Sequence, residues 1–174
     1  MSEQNAAAEL GGPYRPLNNA VQIAYVTNDI DRAREMFRTI YGVERWLDLA
    51  GMSGRQTVSI KARNGPIEIR GVIAYVGAIQ FELIQPISDP ERLYMDFLPE
   101  DGTFSVRFHH LGFNQEGVKD VRALERSLGY GHVIPMATDS ETMPVFYADA
   151  RDRLGHYLEY FSLPAAFDAL IPKN

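Results

Sequence analysis

The segment Val21–Phe37, VQIAYVTNDIDRAREMF, passes from a β-rich pattern to a helical one within a few residues. Ala20–Val26 carries β-branched and aromatic residues, Thr27-Asn28-Asp29 punctuates it, and Ile30, Ala33, Met36, Phe37 and Ile40 then recur at helical spacing. Asn28 is the expected N-cap and Gly42 the expected stop of a helix over Ile30–Tyr41. The same pattern returns 88 residues later. Superposing Gln22 on His110 pairs Ile23-Ala24-Tyr25 with Leu111-Gly112-Phe113, Ile30 with Val118, Ala33 with Val121, Met36 with Leu124 and Ile40 with Leu128. A weak internal duplication is the economical explanation.

Outward from these two segments the chain reads as strands. The first helix precedes expected strands at Val43–Leu49, Gln56–Ala62, Ile67–Val76 and Ala78–Gln85, an antiparallel meander with turns at Asn64-Gly65 and Gly77 and an end at Pro86. In the second half a strand over Phe104–Asn114 leads into a helix over Gly117–Leu128, and three strands follow at about 132–137, 144–149 and 155–161. Both halves are βαβββ, and the class is α+β. The expected organisation is an arm over 1–17, a first module over 18–87, a connector with one turn of helix over 88–103, a second module over 104–163 and a tail over 164–174.

Composition narrows the function classes. The 174 residues are 45% hydrophobic, with 17 basic against 23 acidic side chains and a net charge of −6, which suits an ordinary globular domain. No run of Lys or Arg is present, so nucleic acid and anionic membrane are poor partners. Met1–Pro16 lacks a basic start and an apolar stretch, and the longest uncharged apolar run, Gly71–Phe81, is too short to span a bilayer, so a soluble, cytoplasmic protein is expected. With no cysteine, any metal must be held by His, carboxylate or amide oxygen.

Strand parity sorts the side chains that could do so. Val21, Ile23 and Tyr25 share one face of the first strand, while Gln22 shares the other with Ala20, Ala24 and Val26. In its repeat, His110 lies with Phe108, Gly112 and Asn114, opposite His109, Leu111 and Phe113. In the last strand of each half, Gln80, Glu82 and Ile84 oppose Ile79, Phe81 and Leu83, and Tyr157, Glu159 and Phe161 oppose His156, Leu158 and Tyr160. Taken singly, each polar residue has an ordinary reading as a surface or satisfied core residue. Together, each half offers one ligand from its first strand and one from its last, all turned away from the helices. Two buried carboxylates need a common cation. Gln22, Glu82, His110 and Glu159 supply three oxygens and one imidazole nitrogen, a set suited to zinc, manganese, cobalt, nickel or iron(II). His109 and His156 are assigned structural roles, and His132 is left unplaced.

Paired βαβββ modules with ligands in the first and last strand of each resemble the vicinal oxygen chelate superfamily, which includes glyoxalase I, methylmalonyl-CoA epimerase, bleomycin-resistance proteins and extradiol dioxygenases. The resemblance is carried by Val21–Phe37, Phe81–Pro86 (FELIQP), Phe108–Phe113 (FHHLGF) and Gly155–Phe161 (GHYLEYF), and covers about residues 18–163. It implies a mixed, cup-shaped, eight-stranded sheet with the helices outside. It also implies one divalent ion, zinc first, on Gln22, Glu82, His110 and Glu159, similar to the Gln/Glu/His/Glu set of zinc-type glyoxalase I. Epimerase-like members commonly carry His at the first position and Gln at the second, so the amide stands here in the other place, whereas ELIQP looks like the epimerase branch. Gln22 replaces a histidine of the ring-cleaving iron dioxygenases, which demotes that reaction.

The implied function is a lyase, isomerase or epimerase that moves a proton α to a carbonyl or thioester, with Glu159 as the base, Glu82 as second catalytic carboxylate, and Tyr75, Tyr147, Tyr157 and Phe161 lining the cup. A metal-free sequestering protein of the bleomycin-resistance type is the alternative. A homodimer is expected, with contacts from the arm or from Phe167, Leu170 and Ile171 of the tail.

Overall fold

The computed structural model describes residues 20–51, 55–62, 65–115, 117–128, 136–138 and 140–174. The expected arm, Asn64, His132 and most of the strand at 132–137 lie outside them. In chain order the elements are β1 (Ala20–Thr27), α1 (Ile30–Tyr41), β2 (Leu47–Asp48), β3 (Val58–Ala62), β4 (Gly65–Val76), β5 (Ile79–Ser88), a 3-10 turn (Met95–Phe97), β6 (Val106–Asn114), α2 (Val118–Leu128), β7 (Met136–Ala137), β8 (Val145–Asp149), α3 (Arg151–Leu154), β9 (Tyr157–Phe161) and α4 (Ala165–Asp168). Eight strands run across one mixed sheet in the order β2-β4-β5-β1-β6-β9-β8-β7, and β3 pairs alongside β4. β1 is parallel to β5 and β6 is parallel to β9, while β1 and β6 meet antiparallel at the centre. The two halves therefore join edge to edge through their first strands, as the duplication requires, and the α+β class is confirmed.

Local structure follows the sequence closely and departs from it for identifiable reasons. The N-cap of α1 is Asp29, not Asn28: its carboxylate accepts from the Arg32 amide at 3.0 Å. Asn28 instead ties the helix entry to the connector, donating to the Thr103 carbonyl at 2.8 Å and accepting from the Ser105 amide at 3.1 Å. Gln85, from the FELIQP motif, accepts from the Ile30 amide at 3.0 Å and satisfies another free donor of the first turn. Gly42 closes α1 with φ 70, a left-handed conformation that favours glycine. Ile30, Ala33 and Phe37 are buried as expected, but Ile40 is 61% exposed, because in the last turn Tyr41 takes the sheet contact by stacking on Phe81 at 5.2 Å.

The strand expected over Val43–Leu49 shrinks to β2, since the Glu44 and Arg45 amides are taken by the Asn174 side chain at 3.1 and 2.9 Å. β2 and β3 pair with successive stretches of β4 and act as one interrupted edge strand, which corrects the simple meander. β5 runs on through Pro86 to Ser88, and Pro86 sits where the register with β4 shifts, a place that tolerates the lost donor.

Side chains divide by face as parity demands. Ile23, Tyr25, Phe81 and Leu83 pack under α1 with Phe37, and Leu111, Phe113, Leu158 and Tyr160 pack under α2 with Val121 and Leu124. The opposite face buries a third cluster, Val26, Ile69, Ile84, Tyr147 and Tyr157, to which the connector adds Leu93 and Tyr94. Buried Asp89 organises that connector by accepting from the Leu93, Tyr94 and Met95 amides at 3.1, 2.7 and 2.9 Å. The tail, expected to serve subunit contacts, seats on the first half of its own chain: the Tyr75 amide donates to Pro172 at 2.8 Å, the Asn174 amide donates to Tyr75 at 2.9 Å, and Ile171 is buried. Among the described residues no helix is long and apolar enough to cross a membrane.

Candidate metal and active site

Register places the four polar side chains around two small residues. One row across the sheet reads Glu82, Ala24, His110, and the next reads Gln22, Gly112, Glu159. Ala24 and Gly112 leave the space into which the four longer side chains lean. A Cβ on Gly112 would collide with Gln22 Oε1 and stand only 2.8 Å from Gln22 Cβ and 2.9 Å from a Phe161 ring carbon, so the close approach itself requires glycine.

All four residues are buried, and His110 is at the centre. Its Nε2 lies 3.1 Å from Gln22 Oε1, 3.2 Å from Glu159 Oε2 and 3.5 Å from Glu82 Oε2. Ligand atoms of Glu82, His110 and Glu159 all lie within 4.8 Å of one another, a grouping able to hold a metal ion. Gln22 is oriented by Gln80, whose Oε1 accepts from Gln22 Nε2 at 2.7 Å, so the Gln22 carbonyl oxygen faces His110. Burial raises the Glu82 carboxyl above the ordinary carboxylate range against the pull of His110, and the Glu159 charge adds to the rise. On His110 burial opposes the charged form, but the two glutamates outweigh it and lift the imidazole to about 9. With two carboxylates around one imidazole, the cluster attracts positive charge.

Above this polar floor is a cavity of about 350 Å³. Leu49, Val58, Ile60, Ile69 and Ile73 form one wall, Met143, Val145 and Phe161 the other, and Leu163 and, from the tail, Phe167 also border it. Of the aromatics expected to line it, Tyr147 and Phe161 do so; Tyr75 and Tyr157 are not among its walls. The Tyr75 phenol turns to Asp168 in α4 at 2.6 Å, and burial with the Asp168 charge pushes it up to about 12. Tyr157 is drawn into the packed layer beside Phe97 and His109. Tyr147 shares a 3.2 Å hydrogen bond with Tyr94, and burial holds both phenols well above their usual range, so both remain protonated.

Strand parity predicts His109 on the helix side, but the structure puts it under the site. The β1–β6 register shifts where Ala24 faces His110 and Tyr25 faces Phe108, leaving His109 as the extra residue of a β-bulge. Both histidines therefore lie on the site's side, with His109 fully buried among Tyr94, Phe97, Tyr147 and Tyr157. Burial, and then the His110 charge, hold His109 well below the usual imidazole range. His156 has the structural role expected, bonding the Tyr157 carbonyl at 2.7 Å and packing on Phe108. Gln80 was legible from its parity with Glu82; Tyr94 was not, because the connector carries no periodicity.

The family profile described as "Glyoxalase/Bleomycin resistance protein/Dioxygenase superfamily" matches residues 21–144. No curated protein matches the chain. Among solved structures, a variant of Streptomyces coelicolor methylmalonyl-CoA epimerase in complex with 2-nitronate-propionyl-CoA is 16% identical, covers 84% of this chain and 95% of its own, and superposes with a TM-score of 0.54. Methylmalonyl-CoA epimerase from Mycobacterium tuberculosis is 15% identical over 90% of this chain and 97% of its own, with a TM-score of 0.53. At these identities the likeness concerns the fold.

Proposed function

Because the chain belongs to the glyoxalase/bleomycin resistance protein/dioxygenase superfamily, we propose that it is a metal-dependent lyase, isomerase or epimerase acting by proton transfer α to a carbonyl. The observation that carries this reading is the convergence, within one chain, of Gln22, Glu82, His110 and Glu159 on one buried point. The donor set fits a divalent ion. Two carboxylates cancel its charge, and a neutral imidazole and an amide oxygen complete four ligands without leaving net charge in a buried site. When bound, the ion supplies Lewis acidity that makes the C–H bond beside a carbonyl easier to break.

The remaining work falls to the chain's own side chains. Glu159 takes the proton from the carbon beside the carbonyl and returns it, either to that carbon or to its neighbour. Glu82, the matching buried carboxylate from the first half, is the second proton carrier. Tyr147 and Tyr94 bring uncharged O–H donors to the side of the site. The apolar walls, with Phe161 and the tail's Phe167, exclude water from a partly apolar carbonyl or thioester substrate. Tyr75 and Tyr157 act from outside these walls, Tyr75 by holding the tail. Zinc is the first choice of ion, and a cytoplasmic homodimer is part of the same reading.

A metal-free sequestering protein is the second reading, favoured by one observation: His110 already meets Gln22 and both glutamates directly, and Gln22 donates to Gln80. Ring cleavage by iron is third, because Gln22 stands in a histidine's place. The test is a screen of 2-oxoaldehyde thiol adducts and acyl-CoA thioesters with the wild type and Glu159→Gln. Turnover of one of these classes, lost by about a thousandfold or more in the folded variant, is the expected result for a missing acid–base group. Undiminished turnover in Glu159→Gln would overturn the assignment.

A further inference from the structure

We propose that His109 is a positioning residue that fixes the tautomer of His110, so that Nε2 is the nitrogen left free for a metal. The proposal rests on the metal reading above and adds a residue that parity had set aside. Three contacts locate the hydrogens on the two imidazoles. His109 Nε2 stands 3.0 Å from the Leu93 carbonyl, which can only accept, so that nitrogen carries a hydrogen. The Leu93 carbonyl belongs to the connector turn that Asp89 holds in place through the Leu93, Tyr94 and Met95 amides. On its other side His109 Nδ1 lies 2.8 Å from His110 Nδ1, and one hydrogen must be shared between the two.

Ownership of that hydrogen is decided by surroundings. His109 is fully buried among aromatic rings, whereas both carboxylate contacts fall on His110. A second hydrogen on His109 would place a charge in the apolar layer, so its Nδ1 accepts and His110 Nδ1 donates. Nε2 of His110 then faces Gln22, Glu82 and Glu159 with its lone pair available once an ion replaces its hydrogen. If His109 offered no acceptor, the two glutamates would draw the single hydrogen of a neutral His110 onto Nε2, the nitrogen a metal needs. Outer partners of this kind orient metal-binding histidines generally. What is particular here is that the partner is the preceding residue, and only the bulge in β6 lets consecutive side chains share one face.

The test uses the full chain with zinc as the probe. In ¹⁵N-labelled metal-free protein, a scalar coupling across the hydrogen bond between the two Nδ1 atoms, with the hydrogen covalently on His110, is expected. A hydrogen covalently on His109 Nδ1 would overturn the proposal. His109→Leu should weaken zinc binding by about ten- to a hundredfold, while His109→Asn, which restores an acceptor near Nδ1, should stay within about threefold of wild type. Equal zinc affinity in wild type and a folded His109→Leu would overturn it, and if that variant does not fold, the coupling measurement decides. If wild type takes up no more zinc than the Glu82→Gln/Glu159→Gln double variant, the metal reading fails and this proposal with it, even where the coupling is found.

Discussion

At the residue scale the site depends on two positions with almost no side chain. Ala24 and Gly112 alternate with the four converging polar residues, so the volume they leave open is as much a part of the site as the ligand atoms. Substituting Gly112 with alanine should displace the Gln22 amide, because the added methyl occupies the place of Oε1. Overpacking of this kind costs about 1–3 kcal/mol, measurable by urea denaturation, and zinc affinity measured by titration calorimetry should fall at least about tenfold. Unchanged affinity would mean that Gln22 is not a ligand. The four polar residues and their faces were legible in the sequence because period-two alternation is strict in regular strands. His109 was not, since a single extra residue in β6 reverses parity locally and nothing in FHHLGF announces it.

At the element scale, the duplicated strand–helix segments were legible because each states its period plainly and ends on a recognisable signal. The boundaries that moved did so through long-range hydrogen bonds. Asn174 takes amides that would have extended β2, and Asn28 reaches the connector while Asp29 caps α1. Replacing Asp29 by alanine should cost about 1 kcal/mol in chemical denaturation, the usual loss for an N-cap carboxylate. A neutral result would return the cap to Asn28. The connector and tail were the least legible elements, because they are ordered by contacts to distant residues: Asp89 with three amides, Tyr75 with Asp168 and the terminal backbone. These two unpatterned segments bring Tyr94 and Phe167 to the cavity.

At the scale of the whole molecule, two βαβββ halves meet through antiparallel first strands, and this symmetry gathers one carboxylate from the last strand of each. The cost of burying both is met in the metal-free protein by charge on His110, whose imidazole is raised from 6.5 in the unfolded chain to about 9. A raised imidazole contributes stability that is complete below about 6.5 and is lost as pH rises through about 9. The raised Glu82 carboxyl acts in the same sense at lower pH, because its folded form also holds the proton more tightly than the unfolded one. Melting temperature in chelator should therefore fall across the alkaline side of neutrality, and saturating zinc should reverse the trend, since metal binding improves as ligands lose their protons. A flat profile in chelator would remove the electrostatic basis of the account. The most direct measurement is the metal content of untagged protein after incubation with zinc and removal of excess, compared between wild type and the Glu82→Gln/Glu159→Gln double variant. One ion per chain in wild type and none in the variant is the predicted result; equal, substoichiometric metal in both would contradict it.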